Sequence, residues 1–304
     1  MDVDIMNIVK QYYGLETAEV GLIRESSDNV LYKIGMGARS YVLRLAKRTK
    51  KDTIVFEAQL IHRLISIHIP TPEWIPTLKD ESFATLPDGR IGVLMPYIDG
   101  IPVEGDNIGE YARQAGELLA SIHNATHKLK LEALQTRTIF SELERAIAQQ
   151  DIYIRSFGDG KEFIEYVTHY MGAGKERTHD DYIIHNDFRP HNLLQTQEKD
   201  LFAIDFDWAC YGPAAKDLAH AVVEWSMLDG QNEPNLHTQK MFLEGYHHVL
   251  HSPVSNDFTF WAAFSCLSDT VTYISDKVDR KEELPDRVRS YMYKKFTYYH
   301  GLQA

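Results

Sequence analysis

The run DYIIHNDFRPHNLLQTQEKDLFAIDFDWA, residues 181–209, sets the reading of the whole chain. An apolar triplet, Tyr182 to Ile184, leads into a polar loop from His185 to Asn192. Two short apolar segments, Leu193-Leu194 and Leu201 to Ile204, then flank the polar turn from Gln197 to Asp200. Short apolar runs on either side of a turn read as an antiparallel hairpin. The residue entering the first strand of a hairpin and the residue leaving the second lie at the same end. Asn192 and Asp205 are therefore expected to be neighbours, with Asp187 on the loop just before them. Carboxylate and amide oxygens are hard ligands that suit magnesium, which keeps several waters and shares its other positions with substrate phosphates. One more carboxylate, not needed by the metal, is free to orient a hydroxyl and take its proton. Together these side chains are equipment for phosphoryl transfer.

The order His185, Asp187, Asn192, Asp205 resembles the catalytic loop and metal-binding aspartate of the protein-kinase-like fold. The wording HNDFRPHN, then IDFDWACYGPAAKDLA, looks most like the aminoglycoside phosphotransferase, choline kinase and homoserine kinase group. Members of that group commonly follow the metal aspartate with an acid two places on, a Gly-Pro, and an Asp-Leu-Ala that opens a helix. Here these are Asp207, Gly212-Pro213 and Asp217-Leu218-Ala219. The resemblance implies an α+β, two-lobe kinase-like fold. Residues 1–96 would form a small antiparallel-sheet lobe for the nucleotide, and residues 97–304 a larger, mainly helical lobe for catalysis and acceptor binding. It also implies ATP and magnesium as cofactors, Asp187 as the catalytic base, and Asn192 and Asp205 as metal ligands. Asp217 is expected to brace the loop by accepting backbone hydrogen bonds, and Asp207 to shape the same edge. For Arg189 two readings stand: contact with the transferred phosphoryl group, or a place in solvent. His185 is assigned to packing within the loop and His191 to solvent.

Outward towards the N-terminus, Val3 to Tyr13 has helical apolar spacing and stops at Gly14. Two strands, Ala18 to Ile23 and Asn29 to Ile34, are joined by the polar turn ESSD. Kinase relatives close over ATP with this turn, so Ser27 and Asn29 are candidates for phosphate or ribose contacts; an ordinary hairpin turn accounts for them equally well. Ser40 to Leu45 is a third strand, and Arg44 stands where the family carries its phosphate-contacting cation. Glu57, on a helix expected from Asp52 to Ser66 with Asp52 as its cap, is the acid that would hold Arg44 towards the nucleotide. After a hairpin from Phe83 to Leu94, the segment MPYIDG reads as the inter-lobe hinge. Adenine asks for a backbone acceptor and, two residues on, a backbone donor. Pro96 has a carbonyl but no N–H, so Pro96 accepts and Ile98 donates, with Met95 walling the base.

Beyond the hinge the pattern turns helical: Asn107 to Thr126, then most of Leu131 to Tyr170, then the chain from Lys216 onward, rich in aromatics such as Trp225, Tyr246 and Trp261. The Gly- and charge-rich MGAGKERTHDD reads as a connector. His123 is expected to be buried or capping.

A formal charge of −12 repels a phosphate backbone, which argues against nucleic acid as a partner. The same balance suits a cationic acceptor, and Glu224, Asp229, Asp269, Asp276 and Asp279 are candidates for an acidic wall. Two cysteines make no disulfide framework, and the N-terminus carries acids where a signal peptide carries basic residues. With no run of membrane-spanning length, a cytoplasmic enzyme without membrane association is expected. The expected partners are a nucleotide and a small hydroxyl-bearing molecule, with oligomeric state left open. Two rival readings are a catalytically idle nucleotide-binding module, on account of the glycine-free turn and Arg44, and a His/Asp metal hydrolase using His185 and His191.

Overall fold

A computed structural model describes residues 4–16, 19–26, 28–47, 51–156, 159–178, 181–251, 257–280, 282 and 292–303. The chain divides into two compact units. One comprises Met1–Ile101, Leu131–Thr136 and Leu194–Asp207, and the other Pro102–Lys130, Arg137–Leu193 and Trp208–Ala304.

The first unit is built on strands β1 (Glu19–Glu25), β2 (Asn29–Met36), β3 (Arg39–Ala46), β4 (Ala84–Thr85) and β5 (Ile91–Pro96). They pair antiparallel in the order β1-β2-β3-β5-β4. Side chains alternate across a strand, and β3 uses both faces. Leu43 and Leu45 join Ile5, Ile8, Val9 and Tyr13 of helix α1 (Ile5–Tyr13) in one cluster. Ala46 joins Ile54 of helix α2 (Lys51–Ser66) in another, together with Ile91 and Val93. Arg44 shares the parity of Ala46 and so belongs to the α2 side. Helix α1 ends at Gly14, as its spacing predicts, with Asp4 as N-cap. Asp52 is not the cap of α2: the helix begins at Lys51, and the Asp52 carboxylate sits in the first turn, where it complements the helix dipole. The expected hairpin around Gln197 to Asp200 forms as β8 (Leu193–Thr196) and β9 (Leu201–Ala203), extended by β6 (Gly100–Pro102).

The second unit is helical: α3 (Asn107–Thr126), α4 (Ser141–Ala148), α5 (Gln150–Ser156), α6 (Gly160–Arg177), α7 (Ala214–Ser226), α8 (Leu236–Val249), α9 (Phe258–Asp279) and α10 (Met292–Gly301). Two short strands, β7 (Tyr182–Ile184) and β10 (Cys210–Gly212), pair antiparallel. Helices α3 and α8 approach closely because glycines face across them. A Cβ on Gly116 would lie 2.1 Å from the Phe242 carbonyl oxygen, and one on Gly245 would lie 2.0 Å from that of Arg113. The core gathers Phe163, Trp261, Phe264 and Phe296 from α6, α9 and α10.

Two stretches depart from the sequence pattern. Residues 131–140 hold no helix; Leu131–Thr136 pack with the first unit, where the Ala133 N–H donates to Gln59 Oε1 at 3.0 Å. Conversely, α6 runs through the supposed connector to Arg177. Glycine costs a helix about 1 kcal/mol, but a Cβ at Gly174 would stand 3.0 Å from the Phe140 ring and 3.1 Å from Phe264. Tertiary packing selects the glycine there. No helix among the described residues is long and apolar enough to cross a membrane, and Cys210 and Cys266 are buried and form no disulfide.

Candidate active site

In the first unit the central feature is a buried, bidentate ion pair. Arg44 Nη1 donates to Glu57 Oε1 at 2.9 Å and Nη2 to Oε2 at 2.6 Å, with the residues 5% and 3% exposed. Burial disfavours the charged form of Arg44. The Glu57 carboxylate outweighs it, helped by Asp207 and Asp205, and holds the guanidinium charged. Arg44 Nε is buried and has no hydrogen-bond partner, so this cation keeps a donor to spare. Asp205 follows β9 with φ 68°, in the left-handed region that side chains other than glycine avoid. Asp207 accepts from Asn29 Nδ2 at 2.9 Å. Asn29 is thus engaged by a carboxylate, and the turn before it is closed by the Ser26 hydroxyl, which accepts from the Asn29 N–H at 3.0 Å. Ser27 lies outside the described residues. Met95 packs on the α2-side cluster with Trp74 and Phe83. Pro96 pairs with Tyr41, and the Ile98 carbonyl accepts the Gly100 N–H at 2.9 Å.

In the second unit the loop after β7 is held from beneath. Asp217, in the first turn of α7, accepts the His185 N–H on Oδ2 at 2.9 Å and the Asn186 N–H on Oδ1 at 2.8 Å. This is the brace the sequence predicts. Burial opposes its charge, but the His123 hydrogen bond and nearby cations hold the Asp217 carboxyl well below the usual carboxylate range. His123 is fully buried and bridges Asp217 at 3.0 Å and the Tyr246 hydroxyl at 2.6 Å with its two ring nitrogens. Asn186 takes the left-handed conformation, φ 66°, and its side chain bonds the Trp208 carbonyl and Lys216. Phe188, fully buried, anchors the next residue, its carbonyl accepting from the Trp225 indole at 3.2 Å. Between these fixed points Asp187 is 20% exposed at its side chain.

Asn192 closes the loop in a one-turn 3₁₀ helix, Pro190–Asn192. Its Nδ2 donates to the Asp187 carbonyl at 2.9 Å and to Oδ2 at 2.8 Å. Both partners are acceptors, so the amide orientation is dictated by chemistry, and Oδ1 is turned to the other side as an acceptor available to a cation. Arg189 is not in solvent. Its side chain is 19% exposed, with Nε 2.5 Å from Asp187 Oδ1, Nη2 3.3 Å from Asp269 and Nη1 3.8 Å from Glu224. The Nε–H does not align as a hydrogen bond, so that contact is an ion pair by proximity. Glu224 is also bound by Lys295 at 2.6 Å, and Asp269 by His220 at 3.0 Å. Burial disfavours the charged form of both acids; Lys295 and Arg189 pull Glu224 below its ordinary value, and His220 and Arg189 do the same for Asp269. His220, Glu224 and Asp269 stand close enough to ligate a metal, but Arg189 and Lys295 already neutralise the two acids.

The expected acidic wall is therefore mostly spent on internal pairs, for Asp276 bonds Arg280 and Asp279 bonds Arg145. His185 is buried and its Nδ1 accepts the Asp187 N–H at 3.3 Å, His191 is exposed, and among the described residues neither belongs to the His/Asp/Glu cluster close enough to hold a metal. The sequence reading missed Lys216, His220 and Lys295. A signal for two of them existed: in AAKDLAHAVVEWS the polar residues 216, 217, 220 and 224 recur at helical spacing within an otherwise mostly apolar helix.

The sequence matches the model of the phosphotransferase enzyme family over residues 19–251. It is 27% identical over 232 residues to a homoserine kinase of Zymomonas mobilis, covering 74% of this chain and 70% of that protein. Among solved structures, the amicoumacin kinase hAmiN in complex with AMP-PNP, Ca2+ and Ami superposes with a TM-score of 0.79 at 14% identity, covering 99% of this chain and 97% of that one. The choline kinase LicA of Streptococcus pneumoniae gives 0.69 at 15% identity, covering 98% and 96%. The kinase-like fold implied by the sequence is the fold observed.

Proposed function

Because this chain belongs to the phosphotransferase enzyme family, we propose that it moves the γ-phosphoryl group of ATP onto a hydroxyl of a small acceptor that also carries an amine, a homoserine-like or amino-alcohol compound. The observation that carries the reading is the loop itself: Asp187, with one oxygen held by Asn192 and the other beside Arg189, on a backbone braced by Asp217. Such a carboxylate is oriented to accept the acceptor's proton as the new phosphorus–oxygen bond forms. Arg44, positioned by Glu57, meets the negative charge of the nucleotide phosphates. Pro96 and Ile98 take the adenine by backbone groups, with Met95 against its face and Ser27 and Asn29 at the turn. In this division residues 1–96 serve the nucleotide and residues 97–304 the acceptor.

The donor set fits magnesium. Asn192 offers an amide oxygen turned away from Asp187, and Asp205 a carboxylate on a strained backbone. Asn192 and Asp205 would hold magnesium, which would supply positive charge to the nucleotide phosphates. Asp205→Asn should accordingly weaken ATP binding in the presence of magnesium while leaving metal-free binding near wild type, as titration calorimetry would read; equal losses in both conditions would remove Asp205 from the metal site.

The acceptor carries an amine on this reading by analogy with the relatives named homoserine kinase and choline kinase. The reaction belongs in the cytoplasm, where ATP is available and cysteines outside disulfides, such as Cys210 and Cys266, stay reduced. A coupled ADP-release screen over homoserine, ethanolamine, choline, aminoglycosides and simple sugars tests the proposal. Amine-bearing hydroxyl compounds should release ADP and sugars should not. Absence of release with all of them would favour the idle nucleotide-binding module.

A further inference from the structure

Arg189 touches three carboxylates with three different nitrogens. Nε lies against Asp187 on the loop, Nη1 faces Glu224 on α7, and Nη2 faces Asp269 on α9. A guanidinium is planar and rigid, so these nitrogens move as one body. The three acids are not equally dependent on it. Glu224 keeps Lys295, and Asp269 keeps His220. Among the described residues, the cation paired with Asp187 is Arg189 alone. The second oxygen of Asp187 is tied to Asn192, so the plane of the base carboxylate is set by Asn192 on one side and Arg189 on the other.

We infer that Arg189 is a positioning residue, which couples contact of the acceptor with α7 and α9 to the aim of Asp187. The inference rests on the phosphotransfer reading above and adds the device that favours the acceptor over water. In transfer, the acceptor oxygen forms a bond to the γ-phosphorus as the bond to the bridging oxygen breaks. ADP leaves with that electron pair, and the acceptor proton passes to Asp187. Hydrolysis is the same exchange with water in place of the acceptor. An acceptor spans the distance to α7 and α9 and shifts the guanidinium; a water molecule does not reach those helices. Transfer therefore depends on Arg189 more steeply than acceptor-free hydrolysis does.

The family model ends at residue 251. Asp269 and Lys295 lie beyond it, so two supports of this bridge come from the part of the chain that the family pattern does not describe.

The test compares the full-length wild type with Arg189→Ala and Arg189→Lys, using ATP and magnesium with L-homoserine, ethanolamine and choline as probes. Phosphorylated acceptor and acceptor-free phosphate release are measured separately. Arg189→Ala should lose about 10²-fold in transfer, the scale of a misplaced reacting group, and less in hydrolysis, so that the ratio of hydrolysis to transfer rises. Arg189→Lys should not restore transfer, because one ammonium cannot meet three separated carboxylates. A parallel fall in both reactions would place Arg189 on the phosphoryl group and overturn the inference, as would no fall in either. Asp269→Asn leaves Arg189 in place and should raise the ratio of hydrolysis to transfer in the same direction; an unchanged ratio overturns the bridge even if the alanine variant fails to fold. A wild type that transfers to none of the probes defeats the phosphotransfer reading itself and the inference with it, an outcome distinct from normal transfer with an unmoved ratio.

Discussion

Asp187→Ala is expected to lower turnover by about 10²–10⁴-fold, the usual cost of removing a general base, or about 3–5.5 kcal/mol of transition-state stabilisation. Affinity for ATP should stay near wild type, because the Arg44–Glu57 pair and the Pro96 and Ile98 backbone proposed for the adenine do not involve Asp187. The loop should also survive, since its bracing bonds to Asp217 are made by the backbone N–H groups of His185 and Asn186. Steady-state kinetics on the acceptor found in the ADP-release screen, with nucleotide binding followed by calorimetry, reads both quantities. Unchanged turnover would move the base to another residue.

The second large effect is on folding. Asp217 accepts two backbone N–H groups and a His123 ring nitrogen, and it is fully buried. Asp217→Ala leaves those donors buried without a partner, and breaking a buried charged network from one side typically costs about 3–5 kcal/mol. Denaturant unfolding should show a lower midpoint with little change in slope. The pH dependence follows from the direction of the shift. The folded carboxyl titrates below its ordinary value of 3.8, so its contribution is fully present above that value and is lost as pH falls through the folded pKa. The stability gap between wild type and Asp217→Asn should therefore be constant near neutrality and narrow only below about pH 3.8. A gap that closed between pH 5 and 7 would assign the effect to another group.

What the sequence made legible was local. Asp187 and Asn192 lie within one short stretch, where the apolar spacing specifies a strand, a loop and a turn, and the family resemblance supplied the Asp217 brace. Arg44 and Glu57 stand thirteen residues apart on a strand and the helix after it, and the family resemblance supplied their pairing. Distant partners were not legible. Lys295 reaches Glu224 across 71 residues, and Tyr246 reaches His123 across 123; nothing in the residues near Glu224 or His123 names the helix that packs there. The glycine-rich end of α6 misled for a related reason. A glycine read by propensity says loop, while the one at 174 exists to let Phe140 and Phe264 approach. Arg189 shows the same limit in the site itself: both sequence readings, solvent or phosphoryl group, omitted the carboxylates of α7 and α9 that surround it.

The most direct test of the central claim follows the phosphoryl group itself. Wild type and Asp187→Asn are incubated with ATP, magnesium and the acceptor, and the products are weighed by mass spectrometry. The wild type should yield acceptor heavier by one phosphoryl group in amounts matching the ADP formed, and the variant less than about one hundredth as much. ADP without phosphorylated acceptor, or equal yields from the two proteins, would contradict a phosphotransferase in which Asp187 takes the acceptor's proton.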